Sequence, residues 1–157
     1  MSELTVTQTH TAFGLVYSVE INIRATTRTI WNILTDAAGF PRWNSTVASI
    51  EGHIGEGERL RLRVPGSDRT FTPRVSGVAP EQRMTWTGGF APLFKGIRIF
   101  ELTPRSDGST DFAMRESFSG LMLPLMKRAL PDFRPIFESY AKDLRNEAER
   151  SASAAHA

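Results

Sequence analysis

The sequence predicts an α+β domain of seven antiparallel strands in a meander, covered by a long C-terminal helix, with two short helices between strands 1 and 2. Three observations carry this. Between residues 14 and 119, segments that alternate apolar and polar residues recur, joined by short turns rich in Gly, Pro and Asp. Residues 26–44 interrupt them with helical spacing. From about residue 131 a helical period runs to about Arg150, and only this helix is large enough to cover a one-sided sheet.

Residues 1–13 lack the apolar run of a signal peptide and read as a flexible tail. In residues 14–24, Leu15, Tyr17, Val19, Ile21 and Ile23 share one face and Ser18, Glu20, Asn22 and Arg24 the other. Thr26 or Thr27 can cap the next helix, whose stripe is Ile30, Trp31 and Leu34. Gly39 and Pro41 break it before a second turn carrying Phe40 to Trp43. Residues 46–54 form a strand of unclear phase with Ile50 inward. Residues 58–64 point Leu60, Leu62 and Val64 in and Arg59, Arg61 and Arg63 out. Residues 69–78 point Phe71 and Val75 in, with Pro73 marking an edge or a bulge. Met84 and Trp86 share a face of the next strand.

The segments at 95–120 read as a hairpin about Asp107 and Gly108. With the turn centred on Asp107, Leu102 sits opposite Phe112, Phe100 opposite Met114, and Arg98 opposite Glu116. An arginine and a glutamate thus face each other on the apolar side. Burial of charge is tolerated mainly when the charges are paired, so this face is expected to border a cavity. In the tail, Pro124, Pro131 and Pro135 allow a short helical piece near 122–130 and a main helix from Pro131 or Asp132. Phe133, Phe137, Tyr140 and Leu144 make its apolar face; Lys142, Arg145, Glu147 and Glu149 read as solvated, and residues 151–157 as a frayed tail.

Composition bounds the function. The chain is 40% hydrophobic and 23% charged, ordinary for a globular domain. Its pI of 9.4 reflects arginine-rich cations at a formal charge of only +2, which is weak evidence for nucleic acid. There is no cysteine, and the three histidines are scattered, so no metal site or cofactor is expected. The nearest approach to ligand spacing is Glu51 with His53, and it is weak. The row Arg59, Arg61, Arg63 could meet phosphates, but Glu56 and Glu58 nearby favour a solvated face. No segment is apolar enough to span a membrane, and a cytoplasmic location is the default.

The strings IWNILTDAAGFPRWN (30–44), PEQRMTW (80–86), FKGIRIFELTP (94–104) and FAMRESFSGLMLPL (112–125) resemble the SRPBCC, or START-like, superfamily. Its members include polyketide cyclases/dehydrases, birch-pollen-allergen-like proteins and lipid-transfer domains. The resemblance covers about residues 14–150. It implies a helix-grip fold, a curved sheet wrapped round the C-terminal helix with a ligand cavity between them. It brings no fixed catalytic motif; PRWN marks Trp43 and Asn44 as positional matches only.

Tracing the meander, the end of the first strand near Ala25, the turn 65–68, the loop 88–95, Trp43–Asn44 and the segment after Gly120 are expected at one rim. Phe90–Phe94 and Leu121–Met126 are unusually apolar connections. They read either as a gate over a pocket for an apolar ligand or as loops that pack on each other. The candidate lining is Trp43, Leu62, Phe71, Val75, Trp86, Phe90, Phe94, Arg98, Phe100, Met114, Glu116, Leu123, Phe133, Phe137 and Tyr140. Arg98 and Glu116 are candidate catalytic groups or a structural ion pair. Trp43 and Trp86 either stack on a flat ligand or belong to the core, and the Tyr140 hydroxyl either faces the cavity or is wet. Three functions compete. The first is a binder of a small hydrophobic molecule (lipid, polyketide or aromatic metabolite). The second is a cyclase/dehydrase-like enzyme using Arg98 and Glu116, and the third a protein-interaction module using the apolar rim. A homodimer is left open.

Overall fold

The computed structural model describes residues 3–155 except Phe13 and Ala91, and the backbone alone of Phe90. Six strands form the main sheet, in the order β1-β2-β9-β8-β7-β6. They are β1 (Thr5–His10), β2 (Gly14–Ile23), β6 (Arg74–Ala79), β7 (Arg83–Phe90), β8 (Phe94–Pro104) and β9 (Thr110–Ser119). A smaller sheet, β3-β4-β5, holds β3 (Ser49–Glu51), β4 (Arg61–Arg63) and β5 (Thr70–Phe71). The helices are α1 (Thr27–Leu34), α2 (Phe40–Trp43), α3 (Leu123–Met126) and α4 (Arg134–Ala155). All strand pairs are antiparallel. The large antiparallel sheet and long C-terminal helix are the expected α+β, helix-grip arrangement.

The inner face of β2 buries Leu15, Tyr17, Val19, Ile21 and Ile23, as its alternation requires. The Thr26 hydroxyl accepts from the Thr29 N–H at 3.2 Å and caps α1. Pro135 lies one residue inside α4, where its missing N–H would have no intrahelical partner. Phe137, Tyr140, Ala141, Leu144 and Ala148 on α4 face the sheet and close the core.

Five expectations need correction. The 1–13 segment is not a tail among its described residues: Thr5–His10 pair with β2 from Thr5↔Glu20 to His10↔Leu15. The segment 151–157 is helical as far as Ala155, with the last residues outside those described. The run 69–78 is two strands, because Pro73 has no N–H to donate and the ladder breaks there. As a consequence of β1 and this break, the described residues form nine strands where seven were expected. Glu147 is not solvated; it is buried and accepts from Arg42 (2.7 Å) and Arg150 (2.8 Å).

The fifth correction concerns the rim. Ile23 pairs with Thr110 and Gly14 with Ser119, so the end of β2 lies opposite to the 88–95 and post-Gly120 connections. The α1–α2 segment between β2 and β3 stays beside the C-terminal half of α4: Arg24 meets Glu149 and Arg42 meets Glu147. The two apolar connections do meet: Met122 N–H donates to Leu93 O (2.9 Å) and Leu121 N–H to Pro92 O (3.2 Å).

Candidate functional site

The hairpin register agrees with the parity argument at each pair: Leu102↔Phe112, Phe100↔Met114, Arg98↔Glu116. Extended across the sheet, one rung on the inner face reads Val75, Trp86, Arg98, Glu116, Tyr17. The rung on one side is wholly apolar, with Met84, Phe100, Met114 and Val19. On the side of the apolar connections it reads Pro73, Gly88, Gly96, Phe118, Leu15; Arg74↔Thr87 sets Pro73 beside Gly88.

The polar rung is a paired charge under aromatic rings. Arg98 Nε donates to Glu116 Oε2 at 3.0 Å, and Nη2 reaches the same oxygen. Arg98 Cζ lies 5.5 Å from the Phe137 ring centroid and 5.8 Å from that of Tyr140. Burial opposes the Arg98 charge, but Glu116, through its charge and its hydrogen bond, outweighs it and holds the guanidinium above its ordinary pKa. The side chains remain 20% and 17% exposed, so the pair lies at the edge of the core and not within it. Among the described residues no donor meets Glu116 Oε1.

Among the described residues, three buried polar atoms have no partner: Trp86 Nε1, the Tyr140 hydroxyl and Asn44 Nδ2. Asn44 Oδ1 accepts from Thr46 N–H (2.9 Å) and Thr46 Oγ1 (2.7 Å), which fixes the amide orientation and leaves Nδ2 unmet. Burial pushes the Tyr140 phenol up, against the lowering effect of Arg98. Two of the three orphans, on Trp86 and Tyr140, belong to side chains that flank Phe100. Trp86 lies 5.0 Å from Phe100, Phe100 6.3 Å from Tyr140, and Trp43, the residue before Asn44, 6.0 Å from Tyr140.

Of the predicted lining, Trp43, Val75, Trp86, Phe100, Met114, Leu123, Phe137 and Tyr140 are buried. Phe94 and Phe133 are half-buried and joined through Phe118, 5.8 Å from each. Leu62 is half-buried on the smaller sheet, opposite Phe71. Phe71 does not face inward: it is 44% exposed, because its two-residue strand lies at the edge of the smaller sheet. The Phe90 side chain, like Ala91 beside it, lies outside the described residues. The Tyr140 hydroxyl is not wet. Sequence reasoning placed Asn44 only as a positional match; its buried, unpartnered Nδ2 depends on its turn with Thr46 and has no sequence signal beyond Asn-x-Thr. A separate polar cleft of about 390 Å³ lies among Thr29, Asp36, Arg42, Trp43, Glu147 and Arg150, and its cations are paired to Glu147.

With this geometry in place the family can be stated. Residues 15–150 match the family described as polyketide cyclase/dehydrase and lipid transport, and the chain belongs to it. No curated protein is similar enough in sequence to count as a relative. Protein MLL2253 from Mesorhizobium loti is similar in fold, with a TM-score of 0.67 at 20% identity over 87% of this chain and 98% of its own. A START superfamily protein from Mycobacterium smegmatis has a TM-score of 0.60 at 18% identity, covering 88% and 97%. DynU16, a protein of the dynemicin biosynthetic locus, has a TM-score of 0.65 at 17% identity, over 86% of this chain and 47% of its own.

Proposed function

We propose that this protein binds a small hydrophobic molecule between the inner face of β7–β9 and α4, entering beneath the apolar connections. The observation that carries this is the Gly88–Gly96 pair in the rung beside Arg98 and Glu116. Neither glycine has a positive φ, so the backbone does not demand glycine at either position. A Cβ at Gly96 would have the Phe118 ring at 3.6 Å and Glu116 Oε1 at 3.9 Å as its nearest neighbours, ordinary contact distances; one at Gly88 would meet Pro73 at 3.8 Å. Two missing side chains on the inner face, between the ion pair and the apolar connections, leave room where a ligand body fits. Leu93, Leu121 and Leu125 are exposed at the adjoining rim and form an apolar lip.

The test is a titration with N-phenyl-1-naphthylamine, a neutral fluorophore, of the wild type and Gly96→Leu. The wild type should give saturable fluorescence enhancement, and Gly96→Leu should lose it while melting at a similar temperature. Equal binding by the two proteins would contradict the placement.

A second reading, an enzyme of cyclase/dehydrase type, is favoured by the uncommitted Glu116 Oε1 beside Gly96. Arg98 would polarise a ligand carbonyl and Glu116 would move a proton. Under this reading Glu116→Gln abolishes turnover of a cyclisable substrate yet keeps binding; under the carrier reading there is no turnover to lose.

A further inference from the structure

We infer that the ligand is a neutral molecule whose polar groups are hydrogen-bond acceptors: a ketone or ester oxygen on an apolar body, and neither a carboxylate nor an amine. This rests on the ligand-binding reading above and names the ligand's chemistry. Trp86 Nε1 and Asn44 Nδ2 can only donate, and the Tyr140 hydroxyl has a proton to give. These residues are 4%, 2% and 1% exposed, and none of the three atoms has a partner. Native structures rarely strand buried donors, so the Trp86 and Tyr140 donors, flanking Phe100 beside the ion pair, call for acceptors that the described residues do not supply.

Charge decides which acceptors. Arg98 is paired with Glu116, so the polar rung is neutral as a whole. A carboxylate accepting from the remaining Arg98 N–H groups would lie beside the Glu116 negative charge, a costly arrangement at a partly buried site. An ammonium reaching the free Glu116 Oε1 would lie beside the Arg98 positive charge and leave the Trp86 and Tyr140 donors unmet. The other buried polar side chains are committed elsewhere: Ser109 to Asp107, Thr110 to Ala25 O, and Glu147 to Arg42 and Arg150. A neutral carbonyl meets the donors without disturbing the ion pair.

The experiment uses three probes of one shape: tetralin, 1-tetralone and the anion of tetralin-2-carboxylic acid. Binding is measured by displacement of N-phenyl-1-naphthylamine and by the indole N–H signals of the ¹⁵N-labelled chain, which has three tryptophans. The ketone should bind roughly 3–10-fold more tightly than the hydrocarbon, the range that one or two net hydrogen bonds supply. The anion should bind more weakly than either. The ketone alone should move the Trp86 indole proton downfield, an assignment made with Trp86→Phe. Tyr140→Phe, which keeps the ring and its packing, should narrow the ketone-to-hydrocarbon ratio, so the outcome does not depend on Trp86→Phe folding. Equal affinity for ketone and hydrocarbon with an unmoved Trp86 signal, or tightest binding of the anion, overturns this inference and leaves hydrophobic binding standing. If none of the probes displaces the fluorophore and the fluorophore itself does not bind, the binding reading falls and this inference with it.

Discussion

Arg98 and Glu116 are neighbours because both lie on the inward parity of adjacent strands, and their shared hydrogen bonds offset the cost of leaving water. Their removal should not be symmetrical. Arg98→Met leaves a carboxylate at the edge of an apolar layer, whereas Glu116→Gln leaves a guanidinium that still lies over the Phe137 and Tyr140 rings. Chemical denaturation should therefore show Arg98→Met losing about 2–3 kcal/mol and Glu116→Gln about 1–2 kcal/mol. The reverse order would mean that the rings do not hold the cation. Tyr140→Phe removes a buried hydroxyl with no partner, so unliganded stability should stay level or rise. A fall of more than about 1 kcal/mol would reveal a bound water or another hidden acceptor. At this scale the ion pair was legible in the sequence, because strand parity and one turn position suffice to predict it. The buried hydroxyl was not, since the direction of a helix side chain depends on the sheet surface that it meets.

Glu147 ties α2 to α4: Arg42 Nη2 donates to its Oε1 at 2.7 Å, and Arg150 on the next turn donates at 2.8 Å. Hydrogen bonding from Arg150 first, opposed by burial and assisted by Arg42, holds its carboxyl below the usual glutamate range. A depressed folded pKa contributes stability that is complete above the unfolded value of about 4.3 and is lost as pH falls through the folded one. Glu147→Gln should thus cost about 1–2 kcal/mol at pH 7, and the gap from wild type in urea midpoint should close on acidification below about pH 4. A gap independent of pH would remove the carboxylate from this role. The joint between the apolar connections depends on Gly120, whose φ is +129° and whose added Cβ would lie 2.4 Å from Leu93 O. Gly120→Ala should cost about 1–3 kcal/mol and loosen the lip, read as faster hydrogen exchange at Leu121 and Met122. Protection equal to wild type there would show that the lip does not depend on this contact. Most elements were readable from alternation and capping. β1 was not, because an edge strand of Thr, Gln and His buries little and shows scant contrast between its faces. Phe71 shares parity with Val75, but parity carries no information once Pro73 breaks the ladder between them.

For the whole molecule, chain topology decided what the sequence left open. The expectation that the end of the first strand shares a rim with the apolar connections came from tracing the chain as one meander, whose alternate loops lie at the same end of the sheet. That strand, β2, instead pairs antiparallel with β9, whose end leads to the post-Gly120 segment, so its own end lies at the far rim. Long-range pairing of this kind leaves no mark in the local sequence, whereas the grip of sheet on helix follows from counting elements and apolar faces. A ligand that binds only the folded chain must stabilise it by mass action, by about 2.7 kcal/mol at a hundredfold excess over Kd. The central claim is tested most directly by a crystal structure of the protein soaked with 1-tetralone. The account predicts ring density against Gly88 and Gly96, between β7–β8 and α4, with its oxygen within hydrogen-bond reach of Trp86 Nε1 or the Tyr140 hydroxyl. Side chains filling that space, with the ketone absent or bound only on the outer surface, would contradict it.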